Sequence, residues 1–71
     1  MILIHEMDLG EGVSLKLRGG ISDVTGGGIY VVVATYSDGS QMHFSKCTTK
    51  DHYNGWYHED IILDILEGVS V

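Results

Sequence analysis

The chain has no proline, a single cysteine and only four basic residues among 71. Cys47 has no second cysteine to pair with, so no disulfide braces the fold. No apolar run approaches the roughly 20 residues that a membrane-spanning helix needs. Met1-Ile-Leu-Ile-His lacks the basic n-region of a signal peptide. With the free thiol, this leads to the expectation of a reduced, cytoplasmic setting. The shortage of bases weighs against direct nucleic-acid binding, because phosphate contacts need a basic surface. Phosphate-cradling motifs are missing as well. Gly26-Gly27-Gly28 leads into a strand-like stretch, whereas such loops follow a strand, open a helix and carry GK[ST] or GxGxxG. No cofactor is expected.

What is present suits a small folded domain. Hydrophobic residues make up 44% of the chain, which argues against disorder. A chain this short forms a single domain, residues 1–71, with a modest core, so a partner or a second copy would be a natural supplement. The net charge is −6 and is unevenly spread. Glu6, Asp8 and Glu11 lie in residues 1–12, and Asp51, Glu59, Asp60, Asp64 and Glu67 in residues 51–71, with no base in either stretch. All four bases fall in residues 13–50. Such a surface favours a basic protein partner, including one that itself holds nucleic acid.

The stretch Gly28–Cys47, GIYVVVATYSDGSQMHFSKC, organises the rest. Ile29 to Tyr36 are β-branched, aromatic or small, as a pleated strand requires. Asp38-Gly39 signals a two-residue type I′ hairpin turn. That turn sets Tyr36 opposite Gln41, Thr35 opposite Met42, Val33 opposite Phe44 and Tyr30 opposite Cys47. One face then carries Val31, Val33, Thr35, Met42 and Phe44 as core. The other carries Tyr30, Val32, Ala34, Tyr36, Gln41, His43, Ser45 and Cys47. A one-residue slip would exchange the faces.

Ile2–Met7 reads as a first strand, Asp8 to Gly12 as a turn, and Val13–Arg18 as a strand alternating apolar Val13, Leu15 and Leu17 with polar neighbours. Gly19–Gly28, with five glycines, reads as a mobile connection, and Thr48–Tyr57 as an irregular loop. Ile61, Ile62, Ile65 and Leu66 make a helical stripe within His58–Glu67. Glu59 and Asp60 suit its first turn, and Gly68 its C′ position. The expected class is α+β: a four-stranded antiparallel β-meander packed on one face by a single C-terminal helix.

No residue set supports catalysis. His43 and Cys47 on one strand are separated by about 13 Å at roughly 3.3 Å per residue, far beyond hydrogen-bond reach. His43, Cys47, His52 and His58 lack the tight paired spacing of a zinc site. Neither enzyme activity nor a bound metal is expected. Two surfaces remain as contact candidates. Tyr30, Tyr36 and His43 would stand with Val32 on the uncovered sheet face, flanked by Lys16 and Arg18. Asp60, Asp64 and Glu67, spaced by four and three, would form a negative strip along the helix.

In size, acidity, lack of catalytic motifs and sheet-plus-helix pattern the chain resembles the small acidic proteins that phages encode to block host defence, anti-CRISPR inhibitors among them. The resemblance implies action in the host cytoplasm by occupancy: an acidic surface fills the basic nucleic-acid channel of an effector or blocks a subunit contact. It carries over no functional residue. The expected function is therefore a non-enzymatic protein-binding module that inhibits or regulates a basic nucleic-acid-handling complex. The alternative is a homo-oligomeric structural or assembly component of a phage or bacterial complex, such as a homodimer joined through Tyr30, Val32 and Tyr36.

Overall fold

The computed structural model describes residues 2–21 and 26–69. Strands β1 (Ile2–Gly10), β2 (Val13–Ile21), β3 (Gly28–Thr35) and β4 (Gln41–Thr48) are followed by helix α1 (His58–Val69). The strands form one antiparallel sheet in the order β1-β2-β3-β4, and the helix packs on one face of it. The expected α+β meander is the observed fold. The first two strands run three residues beyond their expected ends, so Gly19, Gly20 and Ile21 belong to β2 rather than to the glycine-rich connection. Residues 22–25 of that connection lie outside the described residues, and the expectation of mobility with them.

The β1–β2 turn places Glu11 and Gly12 at φ 55° and 77°, both in the left-handed region. A Cβ at Gly12 would lie 2.6 Å from the Ser37 Cβ, so a glycine lets this turn touch the β3–β4 turn. Register shifts between Leu3 and His5, and between Asp8 and Gly10, break up β1. Such bulges on an edge strand discourage pairing with another chain.

The β3–β4 hairpin differs from expectation by one residue. Its loop is Ser37-Asp38-Gly39, closed by Gly39 N–H donating to Tyr36 O and Tyr36 N–H donating to Ser40 O, each at 2.9 Å. Gly39 alone takes positive φ, at 86°. Asp38 stays out of that region, and its Oδ1 accepts from Ser40 N–H at 2.9 Å and Ser40 Oγ–H at 2.6 Å. The three-residue turn with glycine in the left-handed position replaces the type I′ turn, which would have strained Asp38 as well. Ala34 now faces Met42, Val32 faces Phe44 and Tyr30 faces Lys46. The expected β3 faces are therefore exchanged, while Met42 and Phe44 keep the helix side. Val32 and Ala34 are buried with Leu15 and Leu17 under the helix, and Tyr30 and Tyr36 pack against that core. Val31, Val33 and Thr35 turn to the open face beside Lys16, Arg18 and His43.

Helix α1 buries the expected stripe: Ile61, Ile62 and Ile65 lie in the core and Leu66 packs against it. Gly68 sits inside the last turn instead of ending the helix. Among the described residues, no helix is long and apolar enough to cross a membrane.

Candidate functional site

The loop between β4 and α1 is built of short reverse turns. His52 N–H donates to Thr49 O, Asn54 N–H to Asp51 O and Trp56 N–H to Tyr53 O, at 3.0–3.1 Å. Gly55 takes φ 85° between them. The turns send Tyr53 inward to 4% exposure and leave Trp56 at 43% and Tyr57 at 81%. A residue of the expected irregular loop is thus part of the core. Tyr53 meets the edge of Tyr30 at 4.9 Å and 86°, and Trp56 at 5.2 Å and 73°.

A single carboxylate fastens this loop. Tyr53 O–H donates to Asp64 Oδ2 at 2.5 Å, and Lys46 Nζ donates to the same oxygen at 2.8 Å. Lys46 reaches it from the helix side of β4, directly across from Tyr30. The bonds from Lys46 and then from Tyr53 hold the Asp64 carboxyl below its ordinary range. Burial, reinforced by Asp64, pushes the Tyr53 phenol up to about 12. Hydrogen bonding to Asp64 raises the Lys46 ammonium in turn. The Lys46 Nζ also stands 5.8 Å from the centre of the Tyr53 ring.

Outside this clasp, a shallow hollow of about 490 Å³ is lined by Trp56, Asp60, Leu63, Asp64 and Glu67. Leu63 is 56% exposed on the solvent side of α1. Apolar Trp56 and Leu63 beside three carboxylates combine the two kinds of group that a contact patch uses, apolar anchors and polar neighbours.

The residues singled out from the sequence separate into distinct places. Asp60, Asp64 and Glu67 do gather around one hollow, although Asp64 is committed to Lys46 and Tyr53. Tyr30 and Tyr36 lie on the helix side, where the Tyr36 hydroxyl donates to Met42 Sδ at 3.6 Å. They do not join His43, which is exposed on the open face in a cleft with Lys16, Arg18 and Gln41. The face expected to combine Tyr30, Tyr36 and His43 is not formed, because the hairpin register separates them. Sequence reasoning missed Trp56 and Leu63 as surface anchors. The available signal was the chain's only tryptophan, set in a loop just before an acidic helix.

The remaining candidates for chemistry do not converge. β4 runs unbroken past His43 and Cys47, so the two stay apart along it. His52 packs on Tyr53 at 4.6 Å, and His58 on His5 at 5.4 Å. Among the described residues, no group of three or more His, Cys, Asp and Glu side chains is placed to hold a metal ion.

Fold and site define a small α+β domain whose helix borders a hollow lined by acidic and apolar side chains. The chain matches no protein family, no curated protein and no solved structure.

Proposed function

We propose that the chain is a non-enzymatic binding module that inhibits or regulates a basic, nucleic-acid-handling protein complex by occupying its basic surface. The observation that carries this is the hollow beside α1, which Trp56 and Leu63 line together with Asp60, Asp64 and Glu67. The net charge of −6 supports it, since it steers the domain toward a basic groove and away from nucleic acid. An inhibitor of the anti-CRISPR type, working in a host cytoplasm, fits this mode of action.

Affinity capture followed by nucleic-acid competition tests the proposal. A captured partner is expected to bind nucleic acid alone, to lose it when the chain binds, and to be released by salt, which screens exposed charges. Asp60→Lys with Glu67→Lys is the informative variant, because reversing Asp64 would also break the clasp to Lys46 and Tyr53. A partner that keeps its nucleic acid, or that binds the variant equally well, contradicts the proposal.

The second reading is a homo-oligomeric assembly component. Val32 is buried under the helix and Tyr30 and Tyr36 pack against the same core, so the face expected to join copies is not formed, and the sheet face left uncovered by the helix presents half-buried Val31 among Lys16, Arg18 and His43 instead. Light scattering over a concentration series decides: a monomer at high micromolar concentration removes this reading.

A further inference from the structure

We propose that the free edge of β4 pairs antiparallel with the β4 edge of a second copy, joining two sheets into one. The inference rests on the homo-oligomeric reading and gives it a surface other than a sheet face.

The two edges of the sheet are built differently. β1 is interrupted by register shifts, whereas β4 pairs with β3 residue for residue from Gln41 to Thr48. The turn fixes which backbone groups of β4 stay free. Tyr36 N–H donates to Ser40 O, so the bonded pairs that follow are Ala34–Met42, Val32–Phe44 and Tyr30–Lys46. Gln41, His43, Ser45 and Cys47 therefore aim their N–H and C=O groups away from the sheet. All of these residues are exposed, and among the described residues no hydrogen bond reaches those outward groups. Strand edges are commonly protected by a proline, a bulge or an unpaired charge. This chain has no proline, and the charged residue of β4, Lys46, is bound to Asp64.

A second copy fits this edge best in one register. Outward groups must meet outward groups, and placing the two-fold axis at Phe44 uses every one of them: Gln41 lies against Cys47 of the second copy, and His43 against its Ser45. Half-buried Phe44 then faces its own counterpart, at a position where side chains approach closely and aromatic pairs are favourable. Met42, 50% exposed, lies along the stem of Lys46 of the second copy. Carried past the strand ends, the same register brings Asp38 in the exposed turn of each copy toward exposed Lys50 of the other. β4 contains no acid, so two chains of net charge −6 meet here without setting carboxylates against each other. Asp64, the helix carboxylate that reaches β4, is already paired with Lys46.

A single strand pair buries little surface, so light scattering is expected to show a reversible dimer at high micromolar concentration. Ser45→Pro removes an outward N–H without touching a ladder bond to β3, and it should raise the dissociation constant roughly tenfold or more. Circular dichroism shows whether that variant folds, and cross-linking carries the test if it does not. Gln41→Cys sets a thiol opposite the native Cys47 of the second copy, at a Cα separation of about 5.5 Å that a disulfide spans. Oxidised glutathione should then yield a dimer joined between positions 41 and 47. Wild type should yield little, because the two copies of Cys47 would stand about 20 Å apart along the strands. Glu6→Cys, on β1, should not be joined through position 6. A Ser45→Pro variant that dimerises like wild type, or oxidation that joins Cys47 to Cys47 or position 6 as readily as position 41, overturns the edge assignment and leaves the homo-oligomeric reading standing. A wild-type monomer at high micromolar concentration removes both. A monomer whose captured basic partner is lost on Ser45→Pro would give the edge to a strand of that partner, and the assignment to a second copy falls.

Discussion

Asp64 is the residue where fold and surface meet. It lines the acidic hollow, yet its Oδ2 accepts from both Tyr53 and Lys46, joining the loop, the helix and β4. Tyr53→Phe removes one of these bonds without opening a cavity, and the expected loss is about 1.5 kcal/mol, the lower end for a bond to a charged group. Urea unfolding of both proteins checks it. The pH dependence follows from the same three groups. Asp64 titrates below its ordinary 3.8 when folded, so its stabilisation is present above that value and is lost as pH falls through the lowered one. Tyr53 is raised from 10.0 to about 12, so its contribution is complete below pH 10 and is lost as pH climbs toward 12. Lys46, raised from 10.5, adds to the same alkaline decline. Thermal midpoints should therefore form a plateau between these limits. In Tyr53→Phe the alkaline limb should flatten and the acid limb should remain. An unchanged alkaline limb would place the phenol elsewhere.

At the scale of the elements, the β3–β4 turn decides which face of β3 is core. Val32→Asp should cost at least about 4 kcal/mol by burying an unpaired carboxylate, whereas Val31→Asp on the open face should cost about 1 kcal/mol. Chemical denaturation of the two variants distinguishes the registers, and the opposite ranking would restore the two-residue turn. The helix and strands were readable from the sequence because their apolar spacing is regular: Val13, Leu15 and Leu17 at period two, and Ile61, Ile62, Ile65 and Leu66 at helical spacing. β3 offered no such signal. Ile29 to Ala34 is apolar at nearly every position, so only the turn could set its facing, and Asp38-Gly39 serves a three-residue loop as readily as a two-residue one. The acids of α1 were readable as one strip. The clasp was not, since Lys46 and Asp64 are 18 residues apart and meet only through the tertiary fold.

For the whole molecule, a core that includes Leu17, Val32, Ile62 and Ile65 at 0–2% exposure holds one helix against one face of the sheet. Leu17→Ala should cost about 2–5 kcal/mol, a large share of the stability of so small a domain; its midpoint in a thermal melt is the check. The other sheet face stays bare, and the acid-lined hollow lies on the far side of the helix. The central claim is that the position of those acids, not the net charge alone, directs binding. Association kinetics of the captured partner test it most directly, using Asp60→Lys with Glu67→Lys against Glu6→Lys with Glu11→Lys. Both pairs change the net charge equally, but only the first alters the hollow. The account predicts an association rate lowered roughly tenfold or more by the first pair and far less by the second, with the difference shrinking at high salt. Equal effects of the two pairs, or no effect of either, would contradict it.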